Sequence, residues 1–169
     1  MNVIETERLT LRLLTSDDAS FILELLNDPA WLRFVGDRDV STVEDAGRYI
    51  LTGPVAMYER LGFGLCMMER KSDRVPMEIC GLIKRDGLAD IDIGFAFLPP
   101  FRGCGYGYEA ALATMAYGKG TLRLKRIVGI TSPDNLSSIT LLEKIGLKYE
   151  CMVRFPKSDV DTMLFEWSE

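Results

Sequence analysis

Residues 97–108 read Phe-Leu-Pro-Pro-Phe-Arg-Gly-Cys-Gly-Tyr-Gly-Tyr, a strand-like end, a proline pair and three alternating glycines that open into the alanine-rich run from Glu109. Few folds accommodate such a segment. The glycines allow successive backbone N–H groups to converge on one point, and the positive end of the helix that follows reinforces them. The spacing therefore predicts a strand–turn–helix unit whose turn cradles an anion, with Arg102 as a forked cation at its mouth. On this reading the bare Gly107 lets backbone approach the anion.

Composition narrows what that anion serves. The 169-residue chain has no histidine, which removes Ser-His-Asp and Cys-His nucleophile systems, imidazole bases and His-ligated zinc; no metal site is expected. A net charge of −5 disfavours nucleic acid as a partner. No apolar run approaches the roughly 18 residues of a membrane span. The acidic start, Glu5-Thr6-Glu7, is unlike a secretory leader, so a cytoplasmic protein is expected, with Cys66, Cys80, Cys104 and Cys151 as thiols.

The length suits one domain over residues 1–169. A strand over residues 3–14 leads to a capping box at Thr15 and Asp18 and a helix that Asn27-Asp28-Pro29 should stop. A second helix starts near Ser41 and is kinked or divided at Gly53-Pro54. Strand-like runs 63–69, 77–84 and 90–98 are joined by short connections and predict an antiparallel meander. After the glycine turn come a helix to about Gly118, a strand 125–131, a short helix 136–145 and strands 148–154 and 161–165. The fold class is α+β, a mixed and mostly antiparallel sheet flanked by helices.

Along 90–98, Ile91, Ile93, Phe95 and Phe97 share one face, while Asp90, Asp92, Gly94, Ala96 and Leu98 share the other. The second face is small and acidic; an extended ligand could lie on Gly94 and Ala96 with Asp92 beside it to accept an amine proton. Asn135 suits a helix N-cap, and Ser138 places a hydroxyl on the first turn after it. Gly105-Tyr106-Gly107-Tyr108-Glu109-Ala110 also matches a dinucleotide fingerprint and raises an NAD-linked oxidoreductase as a rival. The acid expected about 20 residues later is replaced by Arg123, Lys125 and Arg126. A nucleotide P-loop is absent, because Gly118-Lys119-Gly120-Thr121 has the wrong spacing.

Asp92-Ile93-Gly94-Phe95, Phe97-Leu98-Pro99, Arg102–Gly107, Asn135 with Ser138, and Glu143-Lys144-Ile145-Gly146-Leu147 together resemble the GNAT-type N-acetyltransferase superfamily. The cradle fits its (Gln/Arg)xxGx(Gly/Ala) signature. Thr6–Arg12 and Asp17-Asp18-Ala19 resemble its ribosomal-protein N-terminal acetyltransferase-like branch, so the likeness covers about residues 6–169. It implies a splayed central strand pair, acetyl-CoA as cosubstrate, an amine acceptor, and direct transfer without an acyl-enzyme, in a monomer or homodimer. By the same resemblance, Phe97 and Leu98 offer backbone to pantetheine, Arg102, Gly103, Cys104, Gly105, Tyr106 and Gly107 hold the pyrophosphate, and Asn135 borders the pantetheine.

The family's frequent tyrosine acid, seven residues after this asparagine, is Leu142 here; Ser138 stands where the ribosomal-protein-acetylating branch carries a serine near the thiol, and by that resemblance it is the candidate to serve the departing thiolate, with Tyr149 in reserve. Asp92 corresponds to a common acid on its strand and is the candidate base. The leucine also keeps a non-catalytic acyl-CoA-binding module in view. Asp28, Asp37, Asp39 and Glu44 suggest a cationic acceptor or simply solvated faces.

Overall fold

The computed structural model describes residues 3–156 and 158–169. The opening strand is a hairpin, β1 (Ile4–Glu5) and β2 (Leu9–Leu13), because Thr6 closes a turn: its N–H donates to Leu9 O at 3.0 Å. Helix α1 (Ala19–Leu26) follows the expected capping box, in which the Thr15 N–H donates to Asp18 Oδ2 at 2.9 Å. Asn27-Asp28-Pro29 ends α1 but also starts α2 (Pro29–Phe34). The Asp28 carboxylate accepts from Ala30 and Trp31 N–H, and Pro29 occupies the first turn, where no N–H is missed.

The second expected helix is α3 (Val43–Ile50), capped by Thr42 with Asp45 one residue later than the sequence suggests. A π-type turn at Leu51–Val55, containing Pro54, divides it from α4 (Ala56–Leu61). Strands β3 (Leu65–Arg70), β4 (Pro76–Lys84) and β5 (Ile91–Phe97) form the meander. Then come α5 (Tyr106–Gly120), β6 (Arg126–Thr131), α6 (Leu136–Lys144), β7 (Lys148–Arg154) and β8 (Asp161–Ser168).

The eight strands make one sheet in the order β1-β2-β3-β4-β5-β6-β8-β7, antiparallel except between β5 and β6. Apolar cores lie on both faces. One buries Ala110, Ala111 and Met115 of α5 against Cys80, Leu82, Ile93 and Ile127. The other buries Ile22, Leu25, Trp31 and Ile50 against Met67, Ile79 and Leu98. Close approach of α5 depends on Gly118, where a Cβ would stand 2.8 Å from Ile127 Cδ1. Covering both faces also buries what the alternation of β5 marks as an open side: Asp92 is 0% exposed and Leu98 6%.

Candidate active site

The parallel strands β5 and β6 share a single register pair among the described residues, Asp92 with Val128. Beyond it β5 continues to Phe97 and β6 to Thr131, and the strands part. Two cavities occupy the gap. The larger, about 600 Å³, is lined by Phe95–Phe97 of β5, by Arg102, Gly103, Gly105, Gly107 and Tyr108, and by Asn135, Ser137 and Ser138. The smaller, about 280 Å³, runs the other way between Tyr49, Met57, Leu65, Ile93 and Thr131. They meet at Trp31, Phe95, Ala96, Asn135 and Ser138, which line both.

The glycine turn forms as its sequence predicts. Gly103 and Gly105 have φ of +75° and +80°, left-handed values that other side chains resist, and Gly105 is the N-cap of α5. The first helical bond of α5 runs from Glu109 N–H to Gly105 O at 3.2 Å. The amides of residues 106–108 precede that bond and stand at the positive end of the helix, free of its ladder. That geometry fits a diphosphate. Gly107 serves differently from the expectation: a Cβ there would meet Phe97 Cζ at 2.2 Å, so its bareness admits the phenyl ring at the end of β5.

Arg102 lines the large cavity, but its guanidinium is engaged. It donates to Asp28 Oδ2 at 2.7 Å and to Phe97 O at 2.8 Å, tying the turn to α2 and to the end of β5. At the opposite end of α2, Arg33 bridges to Asp134 beside Asn135, at 2.9 Å. The short helix is thereby fixed to both sides of the gap.

Three other cradle and strand residues lie off both cavities. Leu98 belongs to the second core; its N–H donates to Met77 O and its carbonyl accepts from Phe101 N–H. Cys104 is exposed on the turn, and Tyr106 packs against the first core with the Arg8 guanidinium 4.5 Å from its ring centroid. Arg8, which no motif in the sequence marks as part of the site, donates to Glu109 at 2.6 Å and to Cys104 O at 3.4 Å, buttressing the turn from outside.

Asp92 stands at the vertex of the splay and reaches neither cavity. Its Oδ2 accepts from Arg85 Nε at 3.1 Å, while Oδ1 is buried without a partner among the described residues. Burial raises its pKa, partly opposed by Arg85. A carboxylate so enclosed positions Arg85, which does line the small cavity.

Asn135 caps α6 by accepting from Ser138 N–H at 3.3 Å, so the capping bond itself sets Ser138 at the junction of the two cavities. Leu142, in the place of the family's frequent tyrosine, is 1% exposed and packs over Gly129. Tyr149 is 50% exposed, edge-on to Phe165 at 5.9 Å, and lines neither cavity. Trp31, on the helix that the sequence reading lacked, contributes a buried Nε1–H with no partner among the described residues.

A mostly antiparallel sheet opened at one parallel pair, with the anion cradle at one end of the opening, is the architecture of an acyltransferase that draws on acetyl-CoA. The chain belongs to the GNAT acetyltransferase family, whose domain model matches residues 8–148. It is 29% identical over 156 residues to the uncharacterized N-acetyltransferase YoaA of Bacillus subtilis, covering 90% of this chain and 86% of that one. Among solved structures it superposes on the acetyltransferase from Agrobacterium tumefaciens with a TM-score of 0.85 at 23% identity, covering 100% and 95% of the two chains. RimL, a ribosomal L7/L12 alpha-N-protein acetyltransferase solved with coenzyme A, gives 0.81 at 15% identity, with 99% and 98% covered. The dinucleotide reading falls with the topology, since the sheet is not the parallel one that fingerprint serves.

Proposed function

We propose that the protein transfers the acetyl group of acetyl-CoA to a primary amine by direct attack, with the donor in the large cavity and the acceptor in the small one. The observation that carries this reading is the meeting of the two cavities at the strand splay, with the glycine cradle at the far end of the larger. Acetyl-CoA supplies the activated acetyl thioester. The chain's part is to hold: amides 106–108 face the diphosphate, and Phe97, Asn135 and Trp31 line the rest of the donor cavity. Arg102 keeps the cradle in register with β5 and α2.

At the junction, the Ser138 hydroxyl is the donor for charge developing on sulfur. With no histidine in the chain and Asp92 lining neither cavity, the proton leaving the amine passes to water. Acetyl-CoA is expected to raise the melting temperature in a concentration-dependent way and NAD to leave it unchanged. Stabilisation by NAD alone overturns the reading. Ser138→Ala is expected to lower kcat about tenfold with little change in acetyl-CoA affinity, less than the ~10²–10³ typical of lost oxyanion donors because a thiolate is a good leaving group. An unchanged kcat removes the hydroxyl from the mechanism.

A further inference from the structure

The small cavity carries a charge pattern opposite to the one the acidic residues of the N-terminal half suggest. Among the described residues its only charged lining groups are Arg38, from the segment between α2 and α3, and Arg85, from the turn after β4, and no carboxylate lines it. Of the four acids that hinted at a cationic acceptor, Asp28 caps α2 and pairs with Arg102, and Asp37 accepts from the Asp39 N–H. Asp37, Asp39 and Glu44 line neither cavity. Among the described residues no carboxylate pairs with Arg38. Arg85 is held through Nε alone by the buried Asp92, which leaves its terminal nitrogens to the cavity. Tyr49 lines the same cavity; burial raises its pKa and both arginines lower it, so both guanidinium fields reach the same phenol.

We infer that the acceptor is a small primary amine carrying an anionic group and an apolar body, an amino acid or close analogue, whose anion is received by Arg38 and Arg85. The inference rests on the donor reading given above. A polyamine or other dication would place an ammonium against the Arg38 and Arg85 guanidinium groups, where no carboxylate among the described residues lines the cavity and only Asp92, buried behind Arg85, offsets the repulsion. An anion meets two forked donors. The same field favours the uncharged form of the acceptor nitrogen, which is the nucleophile. A volume of about 280 Å³, walled by Met57, Leu65, Ile79 and Ile83, admits an amino acid with a medium apolar side chain. Its amine then points to the junction at Ser138.

The test is steady-state acetyl-CoA turnover by the whole chain with matched trios: leucine, methionine and phenylalanine, their amides, and their decarboxylated amines, with spermidine alongside. The acids are expected to exceed their amides and decarboxylated amines in kcat/KM by about tenfold or more. The amide's amine is the less basic of each pair, so intrinsic reactivity opposes this order. Arg38→Gln is expected to lower kcat/KM for the acids about tenfold through KM and to bring the acid-to-amide ratio close to one. Amides, decarboxylated amines or spermidine used as well as the acids overturn the inference. So does an acid-to-amide ratio that Arg38→Gln leaves intact. If acetyl-CoA raises the melting temperature but no acid is turned over, the acceptor class falls and the donor site stands; if acetyl-CoA does not bind, the donor reading falls first.

Discussion

Gly105→Val is expected to reduce acetyl-CoA affinity by about a hundredfold or more, measured by titration calorimetry. Space is not the obstacle, because a Cβ at this position meets only Arg8 Nη2, at 3.5 Å. The backbone is. A φ of +80° costs an ordinary L-residue roughly 1–2 kcal/mol, and a β-branched side chain makes it a true outlier. The turn relaxes by leaving the left-handed region, which re-aims the amides of residues 106–108. Each charge-assisted hydrogen bond to a phosphate contributes about 1.5–3 kcal/mol, so two lost bonds account for the expected factor. Gly103→Ala, at φ +75° with nothing within 4 Å, is the milder companion. Position 107 is the poorer probe, since any side chain there strikes the Phe97 ring and mixes packing with binding. Normal acetyl-CoA affinity in Gly105→Val would place the anion site elsewhere.

Glu78→Gln is expected to stabilise the protein, and by more at pH 8 than at pH 5. Glu78 lies on β4 with 0% exposure, and neither carboxylate oxygen has a hydrogen-bond partner among the described residues. Burial raises its pKa well above the usual carboxylate value, and the neighbouring Cys80 thiol, 3.5 Å from Thr114 Oγ1, is likewise kept neutral by burial. The folded state therefore holds a proton that the unfolded chain releases near pH ~4.3. From that pH up to the folded pKa, the unfolded state binds fewer protons, and stability falls by about 1.4 kcal/mol per pH unit. Below the unfolded pKa the penalty vanishes. The amide carries no titrating proton, so the melting-temperature difference between variant and wild type should widen with pH, by about 2–4 °C for each kcal/mol. A difference constant from pH 5 to 8 would show that Glu78 is not held neutral.

Much of this architecture is local enough to read from residues alone. The meander, the order of the later elements, the glycine cradle and the Asn135 cap depend on turn chemistry and periodicity, which act over a few positions. Helix α2 is hard to read from sequence because Asp-Pro serves both to end one helix and to begin another: an aspartate before a proline at the first helical position is also a start signal. The burial of Asp92 has no local signature: alternation shows which residues share a face of β5, and only α1–α3 packing over that face shows that it is covered. The latches Arg102–Asp28 and Arg8–Glu109 join residues 74 and 101 positions apart, beyond the reach of any spacing rule. The positive lining of the small cavity was hidden for the same reason, since its two arginines belong to separate loops.

The two arms of the site are made of different material. The donor arm owes its shape at the cradle to main chain in conformations that only glycine holds cheaply. The proposed acceptor arm is walled by side chains from the segment α2 to α4, from β3, β4 and β5, and from the β4–β5 loop. On the acceptor reading proposed above, exchanging Arg38, Tyr49 or Met57 is expected to alter which amine is accepted and to leave the cradle amides in place. On that reading acyl donation and acceptor choice are separable within one sheet, and a new acceptor range is reachable by changes on the side-chain wall alone.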